Sequence, residues 1–359
     1  MCIKKLTAAV LLAALALAGY AGAEEGSGDD DEDVIVVSAA KIQQTLDETV
    51  EKVEVISSQD IATSGAKPLS EAVKQLPGVT VTGASAANPV DSISMQGFDS
   101  AYVKILVDGI AVSGDIGGST AVFEIPVEQI DHIELVQGAS SALYGSDAMG
   151  GVINIITKKA RDRESQEEAL LAAGDVTFRA SLGQEFSWMK SGNWRSYTSS
   201  SLSAQGQHLS SSLSASYDYT PGKQDSAYYA LAGGWLDYYE TPHKSLGYLR
   251  ASTDWKGEQA NLGAYGLYAS SDQKSNFTAA GFNTGASMEY DTDRYEGGLT
   301  GSYSLTDSLL LSGFTALKSY RLDTVYDVQA GSYSSLTDTA SSFIDWESEL
   351  RASWQINEQ

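Results

Sequence analysis

Side chains able to do chemistry are thinly spread through these 359 residues. There are three histidines, His132, His208 and His243, each in a different segment, so neither a zinc site nor a histidine-based triad has its parts together. Gly138-Ala-Ser140 and Gly145-Ser-Asp147 set hydroxyls beside glycine, but neither completes the Gly-x-Ser-x-Gly turn that exposes a hydrolase nucleophile. His132 adjoins an apolar strand and reads as packed, not ligating, and the distance in sequence between His208 and His243 makes them a weak haem pair. The only cysteine, Cys2, lies in a leader-like segment, which leaves no thiol catalysis or disulfide elsewhere. No resident cofactor or metal is expected, and the chain does not read as an enzyme.

The residues that do suggest chemistry suggest binding through backbone. Residues 24–33 hold seven carboxylates in ten positions with Gly and Ser between them, a composition that repels itself into an extended spacer. They lack the spacing of an EF-hand calcium loop. Four β-branched residues follow at once, Val34-Ile-Val-Val37. Such a run favours a strand, and a lone strand behind a charged spacer is suited to joining the sheet of another protein.

The segments around these features set the compartment. Lys4 and Lys5, an apolar run over residues 6–18 and the small residues Ala21-Gly-Ala23 form a secretory signal peptide with cleavage expected after Ala23. The run is too short for a membrane anchor. Setting aside Lys4 and Lys5 leaves 21 basic against 47 acidic residues, a net charge of −26, which disfavours nucleic acid.

Residues 41–160 mix short strands with helix signals. Residues 53–56, 79–82, 92–96, 103–107 and 133–136 read as strands. Ser57-Ser-Gln-Asp-Ile61 suits a capped turn, and residues 68–76 suit a short helix stopped by Pro77-Gly78. Asp108-Gly109 is a tight turn between strands.

Beyond residue 161 the texture changes: this part holds 16 of the 19 tyrosines and all six tryptophans. Apolar and polar residues alternate with a period of two. Leu209, Leu213, Ala215, Tyr217 and Tyr219 oppose Ser210, Ser212, Ser214, Ser216 and Asp218. Leu249, Ala251, Thr253 and Trp255 oppose Tyr248, Arg250, Ser252 and Asp254, and similar faces recur over residues 294–305 and 344–354. An apolar face with terminal aromatics and a charged face fits a strand between lipid and a wet lumen better than a soluble sandwich. Long outer loops are expected over residues 221–243 and 272–286, with short turns at Lys256-Gly-Glu258 and Thr306-Asp307.

Five pieces in order resemble the TonB-dependent outer-membrane receptors, in a style closest to the vitamin B12 and ferric-catecholate receptors. They are the strand at Val34, Leu76-Pro-Gly-Val79, Ser92-Ile-Ser-Met-Gln-Gly-Phe98, Ile105-Leu-Val-Asp-Gly109 and the segment from Ile133-Glu-Leu-Val-Gln-Gly138 through Tyr144-Gly-Ser-Asp-Ala-Met-Gly-Gly151 to Thr157. The resemblance implies an α+β plug domain over residues 41–160 followed by an antiparallel transmembrane β-barrel over residues 161–359, behind a signal peptide (1–23) and a spacer with the family's TonB box (24–40). About nine barrel strands are expected here against the roughly 22 that hold a plugged lumen, so the sequence reads as part of a longer receptor.

By the same resemblance, Asp33, Val34, Ile35, Val36, Val37, Ser38 and Ala39 would bind TonB, which draws on an inner-membrane energising complex. The plug apices, with Asn88, Asp91, Ser113 and Asp115, would meet the cargo, an iron chelate or a corrinoid. The family has arginine at Gln96 (before Gly97) and at Gln137 (before Gly138), where it pairs with wall glutamates and helps seat the plug. Two glutamines here imply a neutral latch. Gly145, Gly150 and Gly151 read as structural. The function implied is energised import of a scarce nutrient across the outer membrane. The alternative is a truncated surface binding protein or remnant that transports nothing.

Overall fold

The computed structural model describes residues 36–37, 44–45, 53–64, 69–82, 92–112, 115–116, 119–120, 125–137, 144–158, 171–173, 176–188, 194–229, 234–241, 243–279, 284–306, 308–330 and 333–354. The first part is a small α+β domain. Its strands are β1 (Val36–Val37), β2 (Gln44–Thr45), β3 (Val53–Ser57), β4 (Val79–Thr82), β5 (Ser92–Met95), β6 (Val103–Val107), β7 (Ile110–Ala111), β8 (Asp115–Ile116), β9 (Ser119–Thr120), β10 (Ile130–Gln137) and β11 (Gly151–Thr157). Helices α1 (Ser58–Ser64) and α2 (Leu69–Val73) lie between β3 and β4. A central sheet has the order β3-β10-β11-β6-β7, with β6 parallel to β11 and the other pairs antiparallel.

Local chemistry accounts for these elements. Ser57 and Asp60 cap α1 reciprocally: the Ser57 N–H and hydroxyl donate to Asp60 Oδ2 at 3.1 and 2.6 Å, and the Asp60 N–H donates to Ser57 Oγ at 3.1 Å. These bonds hold the Asp60 carboxyl below its usual range. Helix α2 is shorter than the sequence suggests, because Gly78 turns the chain with φ +74° soon after it. β10 and β11 are buried on nearly every residue, and Ile130, Ile133, Leu135, Ile153 and Ile155 are wholly inaccessible. Each such side chain contributes about 1.5–3 kcal/mol by leaving water.

The second part is one antiparallel sheet. β12 (Leu171–Ala173), β13 (Val176–Trp188), β14 (Trp194–Gln205), β15 (Leu209–Thr220), β18 (His243–Lys256), β19 (Ala260–Ala279), β20 (Thr284–Thr306), β21 (Leu309–Ala330) and β22 (Tyr333–Trp354) follow in order, and a hairpin of β16 (Lys223–Tyr229) and β17 (Gly234–Thr241) joins β19. The described sheet therefore has eleven strands, two more than the sequence pattern implied. Both stretches expected as long outer loops are largely strand: the β16–β17 hairpin fills one, and β19 and β20 pair as far as Ala279 with Thr284 in the other. Runs such as Asp272-Gln-Lys-Ser-Asn276 are polar on both faces and lose the alternation signal, yet a ladder needs only backbone donors and acceptors. Of the expected short turns, the first falls at 257–259, where the Gly257 N–H donates to the Ala260 carbonyl at 2.8 Å, and Asp307 of the second lies outside the described residues.

Burial on this sheet is the inverse of a soluble protein's. Trp188, Trp346 and Leu350 are 74–83% exposed, whereas Arg294 and Lys318 are 3% and 1% exposed. One cross-strand row, Leu213–Ala251–Gly266–Gly297–Leu317–Trp346, faces out, and the adjacent row, Ser214–Arg250–Leu267–Glu296–Lys318–Asp345, faces in. Aromatics mark the band edges, with Trp255 opposite Leu209 at one end of β15 and Trp194 stacked 5.6 Å from Tyr219 at the other. The ten residue steps from Leu209 to Tyr219 span roughly 33 Å along the strand, or about 25 Å of height at the usual tilt, the thickness of an outer-membrane apolar band. The sheet is the wall of a transmembrane β-barrel, with β12 and β22 at the ends of the described strand order.

Candidate functional site: the seam between plug and wall

The seam is built from a two-residue turn. Asp108 and Gly109 join β6 to β7 with φ of +52° and +80°, the doubly left-handed turn that favours Asp-Gly. Two contacts tie the turn to β11: the Asp108 N–H donates to Ile155 O at 3.0 Å, and the Gly109 N–H donates to Asn154 Oδ1 at 3.1 Å. The Asp108 carboxylate accepts from the Thr157 N–H at 2.9 Å and from its hydroxyl at 2.7 Å. One carboxylate oxygen also accepts from Arg250 Nη2 at 2.6 Å. Arg250 belongs to β18, so this ion pair crosses from plug to wall.

The wall side is a connected set. The Arg250 guanidinium lies 5.0 Å over the Tyr265 ring. Tyr265 donates to Glu296 Oε1 at 2.7 Å, and Arg294 Nη2 donates to Glu296 Oε2 at 2.7 Å. Lys318, on β21, donates to the backbone carbonyl of Ala111 on β7 and sits 2.6 Å from Glu347 Oε2. Arg250 and Lys318 share one cross-strand row, three strand spacings or roughly 14 Å apart. Together they hold the β6–β7 hairpin at two points. Tyr248, Leu267 and Ala269 of the wall complete the contact by joining the plug's apolar core.

Behind the turn lies a buried polar line inside the plug. His132 Nδ1 is 2.7 Å from Asp131 Oδ2, and Nε2 is 3.1 Å from Glu134 Oε1. Asn154 donates to Glu134 Oε2 at 3.0 Å and accepts from Gly109 through its other amide atom. Burial by itself would lower the His132 pKa, but hydrogen bonds and charge from Asp131 and Glu134 outweigh it and raise it to about 9. His132 is therefore a packed, charged residue.

The sequence-predicted sites fall as follows. Of the TonB-box residues, Asp33, Val34, Ile35, Ser38 and Ala39 lie outside the described residues. Val36 and Val37 form β1, which is not a lone strand: it pairs antiparallel with Gln44–Thr45. Two β-branched residues gain ladder bonds from any nearby backbone, which the sequence did not reveal. Asn88, Asp91 and Ser113 lie outside the described residues, and Asp115 pairs through its backbone with Thr120.

Gln96 is exposed in a turn at φ +52°, its N–H donating to Gly78 O at 3.0 Å. Gly97 continues that turn at φ +84°. Gln137 Nε2 donates to Glu54 Oε1 at 3.0 Å, a bond within the plug, and Gly138 lies outside the described residues. Sequence reasoning missed Asp108, Arg250 and Lys318 as seating residues. The available signal was a basic residue at mid-strand on the lumen face.

Gly151 allows β11 to start where it does. Its φ is +134°, and a Cβ there would lie 2.0 Å from Met95 Cε and 2.6 Å from Val136 O. Residues 45–152, which contain this glycine and the Asp108 turn, match the family described as the TonB-dependent Receptor Plug Domain. These residues are a TonB-dependent receptor plug domain. Among curated proteins, the chain is similar to the vitamin B12 transporter BtuB of Vibrio vulnificus (strain CMCP6), at 34% identity over 179 residues, and to that of Vibrio cholerae serotype O1 (strain ATCC 39541 / Classical Ogawa 395 / O395), at 38% over 143. The matches cover 50% and 40% of this chain but only 29% and 23% of those transporters, so the chain spans under a third of their length in the match. Among solved structures, Pseudomonas aeruginosa FpvA bound to heterologous pyoverdines superposes with a TM-score of 0.59 at 12% identity, covering 90% of this chain and 52% of that one. The siderophore receptor PiuA of Acinetobacter baumannii gives 0.52 at 15% identity, over 86% and 56%. At these identities the structures speak for the fold alone, a plug with its barrel wall.

Proposed function

We propose that this chain is the plug and first wall strands of an outer-membrane importer for a scarce nutrient carried as a corrinoid or iron chelate. The observation that carries the proposal is a family-matched plug gripped at two points by the lumen face of a wall whose outer face is apolar. A plug held to its wall by polar contacts such as these is closed at rest and releasable by force. In this account the signal peptide is removed after Ala23, and the outer surface takes cargo at the apices near Asn88, Asp91, Ser113 and Asp115. TonB then adds the strand at Asp33, Val34, Ile35, Val36, Val37, Ser38 and Ala39 to its own sheet. We assign seating of the plug to Asp108–Arg250 and Ala111–Lys318, with Gln137 bracing the plug through Glu54. Gln96 and Gln137 then stand neutral because the charged grip lies elsewhere.

A corrinoid is the first cargo to try, because the curated relatives matched are vitamin B12 transporters. The test is cyanocobalamin uptake by cells that depend on this receptor, with and without Val36→Pro, which removes a backbone donor from the box strand. Uptake that is lost in the variant supports import. Uptake unaffected by the substitution overturns the TonB-driven account, and binding without accumulation supports a non-transporting surface protein.

A further inference from the structure

The wall sector beside the bolted one is built differently. On β14 and β15 the lumen-facing positions Ser199, Ser201 and Ser203 stand opposite Ser216, Ser214 and Ser212. The register of β15 with β18 sets the same rows against Tyr248, Arg250 and Ser252. A grid of six serine hydroxyls thus lies directly beside the Arg250 latch. Ser201, Ser203 and Ser214 are only 6%, 2% and 3% exposed, and the Ser203 hydroxyl is fully buried with no hydrogen-bond partner among the described residues. A buried hydroxyl left unpaired is costly, so Ser203 has a donor and an acceptor to offer a solute that reaches it. The bolted sector, by contrast, is filled by Tyr248, Tyr265, Leu267, Lys318 and Tyr320.

We propose that this serine grid lines the passage taken by a hydrophilic solute when the Asp108–Arg250 pair opens, an inference that rests on the import reading above. Serine is the smallest side chain that both donates and accepts, so a hydrated solute exchanges hydrogen bonds along the grid, between Arg179 beside Ser203 and Arg250 beside Ser214. The β6–β7 hairpin stays with the bolted sector through Lys318, and the gap opens on the serine side.

The test uses single cysteines in a background with every native cysteine, Cys2 included, replaced by serine, with the receptor in outer-membrane vesicles and a charged maleimide as probe. Ser203→Cys and Ser214→Cys report the grid, and Leu267→Cys reports the bolted sector. With Asp108→Asn or Arg250→Gln added, the grid cysteines are expected to label roughly tenfold faster than with the latch intact, while Leu267→Cys stays slow. Equal acceleration at Leu267→Cys, or none at the grid, overturns the proposal. If both latch variants fail to assemble, labelling over hours in the intact latch decides: the grid must react before Leu267→Cys. Neither TonB nor cargo enters this measurement, so its failure leaves the uptake test standing, and failure of uptake leaves the labelling order to be explained separately.

Discussion

Arg250 of the wall and Asp108 of the plug meet at 2.6 Å, with the cation on the wall and the carboxylate on the plug. The family resemblance implies the opposite polarity, with plug arginines against wall glutamates. By that resemblance Gln96 and Gln137 fall at the arginine positions, while the wall carboxylate Glu296 is taken up by Arg294 and Tyr265. The ion pair seen here is on the Asp-Gly turn, which β11 already fixes through Thr157 and Asn154. A charge held on a rigid turn costs little extra entropy to pair.

Removing the Asp108 charge leaves Arg250 half-satisfied in the seam. Asp108→Asn keeps the left-handed turn, because Asn tolerates that conformation, so its effect isolates the ion pair. A loss of roughly 2–4 kcal/mol in plug retention is expected, read as earlier protease cleavage of the plug on heating. No change would show that the pair does not seat the plug.

Lys318 holds the same hairpin from β21 through the Ala111 carbonyl. Lys318→Met fills the site without the donor and is expected to loosen the hairpin. Combined with Asp108→Asn, it should depart from additivity by about 1 kcal/mol, since both contacts restrain one element. Simple additivity in a double-mutant cycle would mean that the two contacts act on independent parts.

The His132 pKa in the folded plug, about 9, exceeds the ordinary histidine value of 6.5. A raised folded value means that the contribution is complete below about 6.5 and lost as pH rises through about 9. The facing groups are Asp131 and Glu134 on β10, Asn154 on β11 and Ser57 on β3. Plug stability should fall by about 1–3 kcal/mol between pH 6.5 and 9.5, and His132→Gln should flatten the profile. An unchanged slope in His132→Gln would assign the pH dependence to another group.

Gly151→Ala places a methyl against Met95 Cε and Val136 O at a φ that side chains rarely adopt. A destabilisation of roughly 2–4 kcal/mol is expected, visible as a lower plug melting temperature. A wild-type melting temperature would contradict the packing at the β10–β11 junction.

Much of the fold was legible because alternation is a direct record of environment. Ser214 and Arg250 face in, and Leu213 and Trp255 face out, as their parity implied. The plug strands were readable from β-branched runs ended by Gly, and α1 from the Ser57–Asp60 pair. The additional strands β16 and β17, and the ends of β19 and β20 at Ala279 and Thr284, were not readable, since their ladders use backbone alone. Nor was the latch: Asp108 and Arg250 stand 142 positions apart, and only the seating of β6 against β18 brings a turn residue to a mid-strand arginine. The pairing of Val36–Val37 with Gln44–Thr45 escaped for the same reason, because polar residues 44 and 45 carry no strand signal.

The most direct test of the account is site-specific photocrosslinking from residue 36 to TonB in cells that express the receptor, with and without cyanocobalamin and with and without the proton gradient. The account predicts a TonB adduct that rises with cargo, as the strand leaves Gln44–Thr45, and that is lost in Val37→Pro. The absence of any adduct under all conditions, in a receptor that still accumulates cargo, would contradict it.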